Sequence, residues 1–230
     1  MQYRVLFIDW DGTLSRSRFW ERWRDNPENR SSYDLLQNVL FNNDKGKILL
    51  QDWMIGVKSY SDVINYVSSI TDIPYEDLKN ELQFSAENMK LIDADIIKLI
   101  KKIRSQGIKV VIATDNMDTF TQWTVPAMRL RLLFDEILVS DNIGAMKTQV
   151  SPEGLSLFFD DYLRRHDIKT NQSVLIDDNL NTQAVEQWGI NFLHVDDASP
   201  LSAHLRQILQ DIHESYEVHT LAAAKHKHNE

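Results

Sequence analysis

The stretch RVLFIDWDGTL, residues 4–14, runs four apolar residues into two aspartates, Asp9 and Asp11, with Gly12 directly after them. Val5, Leu6, Phe7 and Ile8 follow one another with no polar residue between them, which is how a strand covered on both faces reads. A carboxylate at the end of such a strand is costly unless a cation or a hydrogen-bond donor meets it. What Asp9 and Asp11 face therefore decides the reading of the chain.

Four more short runs of the same kind follow: KVVIATD at 109–115, DEILVS at 135–140, SVLIDD at 173–178 and NFLHV at 191–195. Helical patterns lie between them. In residues 91–107, Ile96, Leu99, Ile100 and Ile103 fall at i, i+3, i+4 and i+7, and Gly107 supplies a stop. In residues 179–189, Ala184, Val185 and Trp188 predict one helical stripe before Gly189. Strands alternating with helices predict an α/β fold, a doubly wound parallel sheet with right-handed crossovers.

One interval is too long for a crossover, which needs only about a dozen residues. Between Asp9 and Lys109 the sequence predicts a helical insert, with Val63, Ile64, Val67 and Ile70 on one amphipathic face and Leu78 and Leu82 on the next. The turn TDIP, residues 71–74, separates the two. The expected organisation is an α/β core from residues 1–14 and 90–215, a helical cap domain at 15–89 and a frayed tail at 216–230 carrying His226 and His228. The cap is expected as a separate layer above the strand ends, joined through two short hinges. Residues 15–26 interleave Arg16, Arg18, Arg22 and Arg24 with Phe19, Trp20 and Trp23. The pattern fits an anion-binding surface, but an amphipathic helix with buried aromatics and solvated arginines is the simpler expectation.

Composition narrows the class. With 230 residues, 43% hydrophobic and 26% charged, the chain is that of an ordinary globular protein. A net charge of −9 opposes nucleic acid or an anionic membrane as the main partner. The absence of cysteine excludes disulfides, thiolate metal sites and cysteine nucleophiles, and fits a reducing compartment. Neither a signal-peptide pattern nor an apolar run of about 18 residues occurs, so the expectation is a cytoplasmic protein without a membrane partner.

In an open parallel sheet, ligands meet the crevice at the carboxyl ends of the strands. Asp9, then Thr114 with Asp115, Ser140, and Asp177 with Asp178 close four of the runs, and Lys147 lies in the loop after Ser140. Carboxylates packed together repel unless a cation lies among them, and a hard divalent ion with oxygen ligands suits such a cluster.

DWDGTL at 9–14, IATDN at 112–116, Lys147 in SDNIGAMK at 140–147, and LIDDN at 175–179 resemble, in order, motifs I to IV of the haloacid dehalogenase superfamily. The position of the insert is similar to that in members with a helical cap between motifs I and II. The resemblance implies a Mg²⁺-dependent phosphatase acting on a small phosphorylated metabolite through an aspartyl-phosphate. Asp9 would be the nucleophile and Asp11 the general acid and base. Gly12 and Thr13 would shape the turn beside the phosphate, Thr114 would bind a phosphoryl oxygen with Asp115 and Asn116 beside it, and Lys147 would stabilise charge. Mg²⁺ would be held by Asp9, the Asp11 carbonyl and Asp177, with Asp178 as a further candidate. Two departures stand out. Lys147 precedes Thr148 where proline is common, and Trp10 is larger than the usual residue between the motif I acids. True dehalogenation is disfavoured, since the resembling dehalogenases lack the second motif I acid. Alternatives are a sugar-phosphate mutase of the same family, a receiver-like signalling module, and a non-catalytic phosphate- or metal-binding partner protein.

Overall fold

The continuous apolar runs resolve into a period of two once both faces of the sheet are covered. The computed structural model describes residues 3–227, with side-chain surroundings through residue 214. The five runs form β1 (Val5–Ile8), β2 (Lys109–Thr114), β3 (Glu136–Val139), β4 (Ser173–Asp177) and β5 (Asn191–His194). All pairings are parallel, in the order β3-β2-β1-β4-β5. Leu6, Ile8, Val110, Ile112, Val174 and Ile176 face one way, onto Ile96, Ile100, Ile103 and the C-terminal helix residues Leu201, Leu205 and Ile208. Val5, Phe7, Val111, Ala113 and Leu175 face the other, onto Phe158, Phe159, Tyr162 and Leu163. β1 is central: Ile8 pairs with Ile112 on one side and Ile176 on the other, so Asp9 leaves the sheet between the ends of β2 and β4.

Five helices fill the long interval after β1: α1 (Glu21–Asp25), α2 (Arg30–Leu40), α3 (Asp44–Met54), α4 (Tyr60–Ile70) and α5 (Tyr75–Glu87). The crossover helix α6 (Ile96–Ser105) follows. Trp20, Trp23, Leu36, Leu40, Trp53, Val63, Val67, Leu78 and Leu82 form a hydrophobic cluster of their own, which lets a helical insert hold its shape. α4 starts on a reciprocal capping box, Ser59 accepting from Asp62 N and Asp62 from Ser59 N. Ile70, expected on the buried stripe, is exposed, because it is the last residue of α4 and the turn there runs past the cluster. Glu81 is buried beside Leu78 and Leu82, which the charge permits because Arg22 Nε donates to it at 2.7 Å.

The chain leaves and re-enters the core at adjacent points, where Ile92 N donates to Leu14 O at 2.9 Å. In place of two hinges alone, there is a further attachment. Asp118, buried in the loop after β2, accepts Trp53 Nε1 at 2.7 Å and Tyr60 N at 3.1 Å. Ser140 Oγ donates to Met54 O at 2.6 Å. These bonds tie residues 53–60 to the ends of β2 and β3.

Two further readings are corrected. Residues Leu180–Trp188 form a 3-10 helix, which turns in three residues, so the inward positions are Thr182 and Val185, both buried, with Trp188 packed against the same hydrophobic cluster as Val185. Of the expected Ala184, Val185 and Trp188 stripe only Ala184 drops out. The C-terminal helix, Leu201–Lys227, runs through the stretch expected as a tail from 216, since residues 221–225 are strong helix formers. His228 lies outside the described residues. Among the described residues no helix is long and apolar enough to cross a membrane.

Candidate active site

After Ile8 the backbone turns back on itself. Leu14 N and Ser15 N both donate to Trp10 O, and Gly12 N to Ser15 O at 2.8 Å. Gly12 has a φ of 76°, which side-chain-bearing residues rarely adopt, and a Cβ there would overlap the Asp178 carboxylate. The turn is closed by backbone alone. Thr13, expected to fix it, keeps a buried hydroxyl with no hydrogen-bond partner. Gly12→Ala should cost more than about 2 kcal/mol, lowering Tm by about 4–8 °C. Because the added methyl displaces Asp178, activity should fall further than the melting temperature accounts for at assay temperature. A variant with wild-type Tm would mean the loop yields freely.

Three strand ends converge beside this turn. Lys147, buried in the loop after β3, donates from Nζ to Asp9 at 2.8 Å and to Asp177 at 2.5 Å. Asp115 accepts Lys147 N at 2.9 Å and so fixes the lysine loop from the end of β2. A lysine between two carboxylates is charged in spite of burial, and its pKa is raised by Asp9, Asp177 and Asp115 against the desolvation that would lower it. Burial pushes the Asp9 carboxyl up to about 7, opposed by Lys147 and reinforced by Asp177. Asp178 is raised too, by partial burial and by Asp177. Positive charge beyond the single ammonium would hold these acids ionised.

Asp9, Asp177 and Asp178 each offer a carboxylate oxygen within 4.8 Å of the others. All donors are oxygens, and one ammonium stands against Asp9, Asp115, Asp177 and Asp178, so the set fits a hard divalent cation. Asp11 stands apart from this cluster. Its side chain pairs with Arg18, half-exposed at the start of the insert. Thr114 Oγ1, at the end of β2, is buried without a partner, as is Thr13 Oγ1. They are two of four such side-chain atoms among the described residues, and an incoming anion could satisfy them.

A cavity of about 580 Å³ opens over these strand ends, its floor at Asp11, Asp115 and Asn116 and its walls in the insert. Trp10 is buried against it, its indole N–H directed at Met89 S at 3.3 Å and its ring 5.1 Å from Phe120. The bulk of Trp10 thus fills the seam between core and insert. Trp20 adopts a φ of 57°, unusual for so large a residue, and is held there by burial and by its N–H to Leu78 O at 3.3 Å. The arginines of 15–26 divide. Arg18 pairs with Asp11, Arg22 with buried Glu81, and Arg24 with Glu21 and Asp25. Arg16, Arg18 and Arg22 are exposed and Trp20 and Trp23 are buried, as the simpler expectation has it, while Arg18 and Arg22 also carry these ion pairs to Asp11 and to buried Glu81. Arg18 lies in the arginine and aromatic stretch singled out above, but no motif marks Asp118, or the α2 residues Tyr33 and Gln37 that line the cavity; in the sequence they look like any surface positions.

The family model of the haloacid dehalogenase-like hydrolases matches residues 3–184. No curated protein sequence matches the chain. Among solved structures, the chain resembles a HAD-family enzyme of Bacteroides thetaiotaomicron in complex with magnesium and inorganic phosphate, with a TM-score of 0.58 at 14% identity over 84% of this chain and 94% of that one. It resembles L-2-haloacid dehalogenase from Xanthobacter autotrophicus with chloropropionic acid covalently bound, with a TM-score of 0.59 at 13% identity over 84% of this chain and 78% of that one. A HAD-like family hydrolase of Porphyromonas gingivalis gives 0.59 at 15% identity over 91% and 98%. At such identities these likenesses show the fold, while the family match rests on the sequence itself, from before Asp9 to beyond Asp178. The chain belongs to the haloacid dehalogenase-like hydrolases.

Proposed function

We propose that the chain is a Mg²⁺-dependent phosphatase that hydrolyses small phosphorylated metabolites through an aspartyl-phosphate on Asp9. The observation that carries the reading is the cluster of Asp9, Asp177 and Asp178 around the Lys147 ammonium, with a second acid, Asp11, two residues beyond the first. Mg²⁺, held by Asp9, Asp177 and Asp178, with the Asp11 backbone carbonyl as a further donor, would supply charge neutralisation for phosphoryl transfer. Asp9 Oδ attacks phosphorus, the bond from phosphorus to the leaving oxygen breaks, and Asp11 gives that oxygen its proton. Asp11 then takes a proton from water as the water oxygen attacks phosphorus, and the bond to Asp9 breaks to release inorganic phosphate. Lys147 stays beside the nucleophile and stabilises charge on the phosphoryl oxygens. Thr114 offers its unpartnered hydroxyl to one of them.

Residues 15–89 act in this reading as a cap over the strand ends, which excludes bulk water and polymeric substrates. The compartment proposed is the cytoplasm, in keeping with a chain free of cysteine.

The test is inorganic phosphate release from acetyl phosphate and from a panel of phosphorylated metabolites. Excess chelator should abolish it and Mg²⁺ restore it. Asp177→Asn should raise the Mg²⁺ concentration needed. Mg²⁺ at a hundredfold excess over its Kd should also stabilise the fold by about 2.7 kcal/mol. Full activity in chelator would sink the metal assignment. Turnover of L-2-chloropropionate without phosphate-ester turnover would replace phosphatase with dehalogenase. An isomerised phosphate ester with no phosphate release would point to a mutase.

A further inference from the structure

The cavity between the insert and the strand ends is unlike a site for a polyhydroxylated leaving group. Of its polar side chains, most are already engaged. Arg18 is paired with Asp11, and Arg24 with Glu21 and Asp25. Asp115 accepts Lys147 N, Ser17 Oγ accepts Lys90 N, and the Asn116 side-chain oxygen accepts Met117 N. Tyr33 and Gln37 of α2 are the cavity's neutral polar side chains whose polar atoms make no hydrogen bond among the described residues, although the Arg30 guanidinium lies over one face of the Tyr33 ring, 5.7 Å from its centre. A sugar phosphate would bring four or five hydroxyls and strand most of them against apolar wall.

That wall is aromatic and sulfur-rich. Trp10, Phe19, Met54, Met89 and Met117 surround the space, and methionines pack readily on ring edges. Tyr33, Gln37 and Phe41 lie at i, i+4 and i+8, one face of α2 carried into the residue after it, and all three line the cavity. Phe41 is 44% exposed, although it stands at a cavity wall. A flat ring laid against Phe41 and Tyr33 would cover this surface, while the Gln37 amide could bond a single polar substituent on it. At about 580 Å³ the space suits a one- or two-ring body.

We propose that this cavity selects phosphate monoesters whose leaving group is a flat aromatic or heteroaromatic ring, with Tyr33, Gln37 and Phe41 as the specificity-determining residues. The inference rests on the phosphatase reading above, because it presumes that the phosphoryl group lies at Asp9.

The test measures binding apart from leaving-group reactivity. Benzylphosphonate, in which a methylene replaces the ester oxygen of phenyl phosphate, is compared with methylphosphonate by titration calorimetry on the full-length protein with Mg²⁺. Sorbitol 6-phosphate, titrated into the Asp9→Asn protein so that it is not consumed, gives the polyol comparison with benzylphosphonate on that same variant. Benzylphosphonate should bind at least tenfold more tightly than methylphosphonate. Phe41→Ala should bring that ratio below threefold while leaving methylphosphonate affinity unchanged, and Tyr33→Ala should reduce it as well. Equal affinities for the two phosphonates, tighter binding of sorbitol 6-phosphate than of benzylphosphonate, or an unchanged ratio in both variants would overturn the proposal. Acetyl phosphate hydrolysis, run alongside, separates the failures. Turnover without ring preference sinks the substrate class alone, whereas neither turnover nor phosphonate binding sinks the phosphatase reading with it.

Discussion

Asp9→Asn should lose about 10⁴-fold or more of the wild-type turnover and form no covalent intermediate, the scale expected when a nucleophile is removed. Asp11→Asn should behave differently. It keeps the nucleophile and the backbone carbonyl but loses the proton shuttle, worth about 10²- to 10⁴-fold. With p-nitrophenyl phosphate, whose leaving group needs no proton, phosphorylation of Asp9 should survive in the Asp11 variant while hydrolysis slows, so the phospho-enzyme accumulates. Intact mass after rapid acid quench reads the added phosphoryl group. A phospho-enzyme in Asp9→Asn, or equal turnover by the two variants, would refute the assignment of roles even with the fold unchanged.

Lys147→Met should be the most destabilising single change in the site. It keeps the apolar stem but leaves Asp9 and Asp177, both buried, facing each other without the ammonium that lies 2.8 and 2.5 Å from them. Breaking a buried charge pair from one side costs about 3–5 kcal/mol, which corresponds to a fall in Tm of about 6–20 °C for a chain of this size. Mg²⁺ should recover part of that loss, because it restores positive charge among the acids, but it should not recover activity. Thermal denaturation with and without Mg²⁺ reads both effects. A variant that melts like the wild type in chelator would show that the acids there do not depend on Lys147.

The sheet was legible in the sequence because its physics is local and repeated. A strand buried on both faces has no choice but to be apolar throughout, and residues such as Val5 to Ile8 show it directly. The strand-end acids were legible for the complementary reason, since Asp9 and Asp177 are charges where a core should continue. The interval 15–89 gave up its helices but not its contacts. Arg22 and Glu81 are far apart in sequence and meet only through packing. Asp118, three residues beyond Asp115, carries no periodicity of its own, and its partners Trp53 and Tyr60 lie in the insert. Leu180–Trp188 misled because the same apolar residues suit a helix of 3.6 or of three residues per turn, and the short, tight connection decides.

The bonds from Asp118 and Ser140 to residues 53–60 bear on how a molecule gets in and out. The two chain crossings lie side by side, joined by Ile92 N and Leu14 O, and so form a single pivot. A second anchorage on the ends of β2 and β3 denies the helical layer free rotation about it. Swinging the whole layer would break the bonds to Trp53 and Tyr60, which end on a buried carboxylate and are each worth about 1.5–3 kcal/mol. α2 has no hydrogen bond to the core among the described residues and packs on α1, α3 and α4 instead. Traffic is thus cheapest through local bending at the α1 and α2 edge, where Tyr33, Gln37 and Phe41 lie. If the cavity selects as proposed, the door and the selector are one element, and the pace of product escape should follow the stability of α2 rather than that of the sheet.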